Sequence, residues 1–538
     1  MRTNDSPTAV TPWMALCFGI ICLGALLYFP SLTGSKIWDD RMLLDGSGIG
    51  GGSLRNCFVH PFMGRYFRPG VAVTFALERQ LWGDNIQPYR MTNLIIHLLN
   101  IGAIIGLARS AFGNRRAAAI SGLLFAIHPA LVSSVAWVGG RTDTLACLWV
   151  TLFCWAIVVA SQHVGEKRSL YLAYGVGAYL FALFTKEQVL LLPVLVPAAF
   201  AVWKPKSGVR LPGDSWVAIL PFCLTIFFYL AASSLIGVPH GSPLTWAVSE
   251  RLLLIFRSVA DYGLLLLSPT PFTMHCLTIN AWEHQGTCAV WLGSFLLFGT
   301  GAIALPLIRR APREAWFVVL TALAILPVIN LIPITFLQLA PYRGCLGVIG
   351  IACVGGSITS ALTRKSVYWW FPATGVFIWF TGLTVWGGMQ WRDEETLFRE
   401  FLKNDSADLT IRYNLVYYLR EKKRPIEAAQ EEVHQLEAIF GANGWQDGQK
   451  ALDSLDRNEA IRRMIMQLKG DGGSVKGYVA WQYAILGDIR WQIGDRDGAE
   501  EAYNAGYLFD PTHVQIKIGL DNVRAAKTVA PPISNILK

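Results

Sequence analysis

Apolar runs about as long as a bilayer is thick recur through the first 390 or so residues. The first is Trp13–Phe29, and others fall at about 91–108, 117–134, 143–160, 169–184, 188–203 and 215–236. Four more lie at about 291–307, 315–333, 345–361 and 367–388. Read by length, they predict about eleven membrane helices. The loops Arg109–Arg116, His163–Arg168 and Lys204–Arg210 are basic and alternate with less basic ones. The positive-inside rule then places the N-terminus in the cytoplasm and a long loop, about 30–88, outside. The apolar stretch Leu252–Leu267, flanked by Pro243, Pro269 and Pro271, reads as a re-entrant or interfacial helix. An odd number of crossings puts the C-terminus outside.

The pattern changes after Trp386-Gly387-Gly388. Residues 391–538 are polar and charged with helical spacing. Leu486-Gly487, Gly494, Ala499, Tyr503 and Pro511 stand at the positions of a tetratricopeptide repeat of about 34 residues. Leu415 and Ala428 begin an earlier copy. The expected fold class is all-α: a polytopic membrane domain over 1–390 and a C-terminal α-solenoid of repeat type over 391–538.

Composition agrees. The chain has 538 residues, 53% hydrophobic and 15% charged, well below the share of about 25% in soluble proteins. Its net charge of +9 fits basic loops facing anionic lipid and gives no reason to expect nucleic acid. Most of the ten cysteines lie in apolar spans, as small hydrophobes. Cys276 and Cys288 share an external loop, where a disulfide is the expectation. The first span reads as an uncleaved signal anchor.

The external loop carries the chemistry. Lys36-Ile37-Trp38-Asp39-Asp40-Arg41 sets two carboxylates at the mouth of the first span, where stability needs none. One reading is a solvated loop start; the other is a general base with a neighbour that places it. Beyond it, the run Gly46–Ser53 reads as a flap or linker that packs no core. Val71–Trp82 has the spacing of an interfacial helix. Inside the spans, His97, His128, Asn93 and Asn100 are polar residues with either a functional or a helix-pairing role. Lys186-Glu187 closes a span as a mutual pair or as a contact for an anion.

The order of motifs resembles a family. Trp38-Asp39-Asp40-Arg41 is followed by Tyr66-Phe67-Arg68-Pro69, Tyr89-Arg90-Met91-Thr92-Asn93 and Ala126-Ile127-His128-Pro129. Then come Trp137-Val138-Gly139-Gly140-Arg141-Thr142-Asp143, Thr185-Lys186-Glu187 and, after the last span, Trp391-Arg392-Asp393. This is similar to GT-C glycosyltransferases with C-terminal tetratricopeptide repeats, the transmembrane protein O-mannosyltransferases and their bacterial relatives. The resemblance implies an undecaprenyl- or dolichyl-phosphate-sugar donor, an external active site, inversion at the anomeric carbon and no metal. It implies Asp39 as the catalytic base with Asp40 beside it. Arg68, Arg90, Arg141 and Arg343 are the candidates for the donor phosphate, with His97, His128, Asp143, Lys186, Glu187 and Tyr342 as further site candidates. Relatives carry an acidic residue and Arg after the Asn-Leu-Ile-Pro stretch; here Asn330–Pro333 is followed only later by Tyr342-Arg343, which puts that part of the donor site in question.

The function expected is transfer of a hexose from the lipid phosphate to a protein hydroxyl on the external side, with the repeats holding the acceptor. A glycan or lipid acceptor, or a non-catalytic membrane scaffold, are the alternatives. The compartment is the bacterial inner membrane or the endoplasmic reticulum membrane.

Overall fold

The computed structural model describes residues 7–203, 217–238, 248–271, 274–275, 277–278, 288–331, 337–406, 408–457, 465 and 474–529. The loop Lys204–Arg210, Pro243, Cys276 and Ile332-Pro333 therefore lie outside the described residues, and with them the expected disulfide. The chain divides into two compact units, the first closing at Asp393 and the second running on from Glu394. Nearly all of the described chain is helical; Leu277–Thr278 and Leu337–Leu339 are its only strands.

The first unit opens with α1 (Pro7–Tyr28), then the small loop helices α2 (Asp40–Leu44), α3 (Asn56–Val59) and α4 (Pro69–Trp82). It continues through α5 (Ile86–Phe112), α6 (Arg115–Ala126), α7 (Val132–Ala136), α8 (Arg141–Ser161) and α9 (Glu166–Thr185). α10 (Leu195–Val202), α11 (Leu220–Leu235), α12 (Val248–Leu267), α13 (Cys288–Arg310), α14 (Pro312–Ile325), α15 (Cys345–Lys365) and α16 (Trp370–Gln390) complete it.

Among the described residues, Pro12–Thr33, Ile86–Phe112, Arg141–Ser161 and Pro341–Lys365 are each long and apolar enough to cross a membrane. α6 and the segment Pro129–Ala136 add a fifth as a pair bent by 51°. The bend falls at His128-Pro129, where proline cannot continue the ladder. His128 Nδ1 accepts from the Ala130 amide at 3.2 Å, and its other nitrogen meets the Leu266 carbonyl at 3.1 Å. This is an integral membrane unit. α12 is one unbroken helix of 20 residues that buries Arg257 and Asp261, so the chain does not turn back within it.

Small residues bring the helices close. A Cβ on Gly356 of α15 would stand 2.1 Å from Ser121 Oγ and 2.7 Å from the Ala117 carbonyl of α6.

The loop 30–88 is folded, against the expectation for its glycine run. Leu43, Leu44, Ile49, Cys57, Phe62, Val71, Phe75 and Ala76 form a core of their own with Tyr89 and Val138. Gly50, Gly51 and Gly52 take φ of 65°, 82° and 80°, which lets the run curl tightly enough to bury Ile49.

The second unit comprises α17 (Glu394–Asn404), α18 (Leu409–Glu421), α19 (Pro425–Phe440), α20 (Gly448–Arg457), α21 (Val475–Gln492), α22 (Arg496–Phe509) and α23 (Val514–Val529). Local rules account for its ends. Asp408 caps α18 through the Thr410 and Ile411 amides, Ser474 caps α21, Asp495 caps α22, and Pro425 opens α19. Leu436, Val479, Tyr483, Leu486, Ala499, Tyr503 and Ile516 fill its core.

Candidate functional site

In the first unit a cavity of about 420 Å³ opens beside the loop 30–88. Asp39, Met42, Leu43, Phe62, Met63, Arg65, Tyr66 and Arg68 line it from the loop. Trp137, Gly139, Thr142, Asp143, Lys186, Tyr342 and Arg343 line it from the helix ends.

Each polar group arrives there for a local reason. Asp143 stands in the first turn of α8, where the helix dipole favours a carboxylate. Lys186 follows the last turn of α9, where it favours a cation. The two form an ion pair in the cavity wall. Arg68 precedes Pro69, which forbids it the helical conformation and turns it outward from α4. Its guanidinium grips Glu187 at both oxygens, at 2.9 and 2.6 Å, and covers the Tyr66 ring at 3.9 Å. Tyr342 and Arg343 sit on a short turn begun by Pro341.

Lys186 and Glu187, which as neighbours suggested a mutual pair, thus point to different partners. Lys186 has an extended backbone, φ −160° and ψ 127°, so successive side chains diverge.

The acidic pair is split. Asp40 is fully buried, and its carboxylate accepts from the Ile37 amide at 3.0 Å and the Gly139 amide at 3.2 Å. It ties the loop 30–88 to the turn before α8. Burial raises its carboxyl to about 7, outweighing those two bonds and the charge of Arg90. Asp39 is exposed on the cavity. The walls strip water from its carboxyl and raise it above the ordinary carboxylate range, while Arg65 pulls the other way. As the residue before α2, Asp39 makes none of the capping bonds an aspartate there usually makes.

Other expected site residues lie elsewhere. Arg90 is buried and spends its guanidinium on the carbonyls of Ser31, Ser35 and Trp391, tying the segment after the first span to the segment after the last helix of the unit. Gly34 must be glycine beneath it, since a Cβ there would stand 2.7 Å from the Arg392 carbonyl and closer still to Arg90. Arg141 is fully buried, bound to Glu78, to Asn93 Oδ1 at 2.8 Å and to the Tyr89 carbonyl at 2.7 Å. Neither reaches the cavity, because each is enclosed by backbone carbonyls and helix side chains. His97 is packed edge-on against Tyr28 and stacked on Phe125. His97 and His128 are both interior residues of the bundle away from the cavity.

Arg65, Thr142 and Trp137 line the site without having been singled out. Arg65 lies in the same Arg65–Pro69 stretch as Arg68, and that basic-aromatic cluster was the available signal. Three tryptophans converge from distant motifs behind the loop. The rings of Trp38, Trp137 and Trp391 lie 5.9 to 6.2 Å apart.

Residues 60–236 match the family model described as dolichyl-phosphate-mannose-protein mannosyltransferase. The chain is similar to the protein O-mannosyltransferases. The match holds Arg65, Arg68, Asp143, Lys186 and Glu187 and begins after Asp39 and Asp40. Protein O-mannosyl-transferase Tmtc1 of Drosophila melanogaster is 26% identical over 197 residues, 35% of this chain and 23% of that protein. Human protein O-mannosyl-transferase TMTC1 is 33% identical over 147 residues, 25% of this chain and 16% of its own. The mouse protein O-mannosyl-transferase TMTC4 is 26% identical over 189 residues, 30% of this chain and 25% of that one. The chain thus matches a quarter or less of the length of these relatives.

Proposed function

We propose that this chain is a membrane glycosyltransferase that moves mannose, or another hexose, from a polyprenyl phosphate to a protein hydroxyl on the external side. The observation that carries the reading is the cavity itself: one carboxylate free of capping bonds faces a wall of cations. Asp39 takes the proton of a Ser or Thr hydroxyl as the oxygen attacks the anomeric carbon. The phosphate departs from the opposite face with the bond's electron pair, so the configuration inverts. Arg68, Lys186 and Arg343 are fixed positive charge for that phosphate.

The charges suit a single phosphate. Arg65, Arg68, Lys186 and Arg343 face Asp39, Asp143 and Glu187, leaving one positive charge for the one negative charge of a phosphodiester. With cations already at the leaving group, the reaction is read as metal-independent. The membrane unit is read with about eleven crossings and an external loop and C-terminus.

The second unit is read as a tetratricopeptide-like holder of the acceptor. Gly487 lies under the Tyr503 ring, Gly494 turns with φ +87°, and Ala499 is buried, as the repeat pattern asks. A cleft of about 710 Å³ lined by Trp481, Trp491, Tyr503 and Gln515 runs along α21 and α23.

The test is transfer by the purified chain in detergent with EDTA, offered polyprenyl-phosphate mannose and a pool of Ser/Thr peptides. Mannosyl peptide, lost on removal of 404–538 while donor cleavage continues, supports both halves. Transfer only to lipid or glycan sinks the protein acceptor. No donor cleavage under any acceptor sinks the enzyme and leaves the scaffold.

A further inference from the structure

The turn that carries the chain from Ile37 to Asp40, closed by the Asp40 amide on the Ile37 carbonyl at 3.1 Å, has at its first central position a residue poorly suited to it. Trp38 has φ +51°, a left-handed conformation that a bulky side chain rarely takes. Strain of this kind persists only where its surroundings over-determine it, and it gathers at functional sites. Met63, on the same cavity wall, is also left-handed at φ +52°.

The surroundings of Trp38 are specific. Its ring meets those of Trp137 at 6.1 Å and Trp391 at 6.2 Å, both edge-on. The Trp137 indole N–H donates to the carbonyl of Ile37, the residue before Trp38, at 3.3 Å. On its other side, Asp40 accepts from the Ile37 amide. Ile37, ahead of Trp38, is thus pinned through both its N–H and its carbonyl, and the Trp38 ring holds the turn that follows.

We propose that Trp38 is a positioning residue whose left-handed turn, locked by the tryptophan cluster, aims Asp39 into the cavity while Asp40 turns inward. The proposal rests on Asp39 being the base. Relaxation at Trp38 to negative φ would swing Asp39 away from the acceptor oxygen without touching the cations that hold the donor.

The test compares Trp38→Ala and Trp38→Phe in the whole chain, with polyprenyl-phosphate mannose and the peptide pool, per folded molecule. Trp38→Ala is expected to lower kcat on the order of ten- to hundredfold, the cost of a misplacement near 1 Å. Its donor KM should stay within about twofold, since an interaction made only in the transition state is lost. Trp38→Phe, which keeps a ring in the cluster, should recover most of the rate. Added to Asp39→Asn, Trp38→Ala should cost nothing further, because both act through one carboxylate. Should Trp38→Ala not fold, Trp38→Gly takes the turn freely but leaves it unheld, and the same kcat loss is expected. Full turnover by the folded variant, a change in KM alone, or an undiminished loss in the Asp39→Asn background each overturns the proposal. Full turnover by Asp39→Asn alone instead removes the base reading beneath it.

Discussion

Both units bury a carboxyl group completely, and they use it in opposite ways. In the loop 30–88, Asp40 has zero exposure and accepts two backbone amides from segments about a hundred residues apart in the chain. In the C-terminal unit, Glu432 has zero exposure too, yet among the described residues neither of its oxygens has a hydrogen-bond partner. Burial raises Asp40 to about 7 and Glu432 to about 8. The first carboxyl is a fastener between loops that frame a cavity. The second is a polar group carried between helices as a neutral acid. A buried charge points to a site only when what it holds together is itself a site.

The comparison breaks first at Asp39, the carboxylate that makes no capping bond to the helix it precedes. If it is the base, Asp39→Asn removes basicity and keeps shape, and turnover falls by about 10²–10⁴-fold with donor binding nearly intact. The raised carboxyl gives the pH profile its sign: kcat should climb with pH through an ionisation above the ordinary carboxylate range, and Asp39→Asn should be flat there. Rate and binding measured side by side check both points. Equal turnover by wild type and Asp39→Asn would place the loop's acids together as structural.

Arg68 tests the opposite wall. Its bond to Glu187 positions the guanidinium, and Arg68→Ala should weaken donor binding by about tenfold to a hundredfold, as expected for a charge-assisted hydrogen bond. kcat at saturating donor should change less. Equilibrium dialysis with labelled polyprenyl-phosphate mannose reads the loss, and unchanged affinity would remove Arg68 from the donor site.

Glu432 sharpens the contrast in the second unit. Its folded value lies above the unfolded value of about 4.3, so the fold prefers the protonated acid. That advantage is present at low pH and is lost as pH rises towards 8, at up to about 1.4 kcal/mol per pH unit. Arg412 and Arg420 oppose the rise, and Asp408, also raised by burial, adds a slope of its own. Glu432→Gln should therefore flatten the pH dependence of unfolding in α18, α19 and α21, followed by limited proteolysis. An unaltered slope would mean that Glu432 has a partner in solution.

What the sequence disclosed follows the same division. The first span was legible because it is local: Trp13–Phe29 is an apolar run, and Pro12–Thr33 is long and apolar enough to cross a membrane. The site was legible as an inventory, since Asp39, Arg68, Asp143, Lys186 and Arg343 do converge. Its pairing was not. Lys186 finds Asp143 across 43 residues and Arg68 finds Glu187 across 119, separations no local pattern encodes. Arg90 and Arg141 misled because an arginine at a helix end looks alike whether it faces a ligand or a ring of carbonyls. The glycine run misled for a related reason: the freedom that permits disorder also permits the tight turns that bury Ile49.

The smallest effect belongs to Asp40→Asn, because two terms oppose. Asparagine keeps one acceptor for two amides, so either Ile37 or Gly139 then faces an N–H₂ group, at a cost of about 1–3 kcal/mol for the unsatisfied donor. Against this, the folded value of Asp40 lies above its unfolded value of about 3.9, so wild type loses stability as pH rises from there to about 7. The variant does not titrate and escapes that loss. Below about pH 4 only the first term acts, and Asp40→Asn should melt below wild type; near neutrality the terms offset and the gap should close. Asp40→Ala, which loses both acceptors, should melt lower than Asp40→Asn throughout. Thermal unfolding of the intact chain in detergent at two pH values decides it. A gap that widens towards neutral pH would show that Asp40 is ionised in the fold and serves as an anion, putting it beside Asp39 in kind rather than beside Glu432.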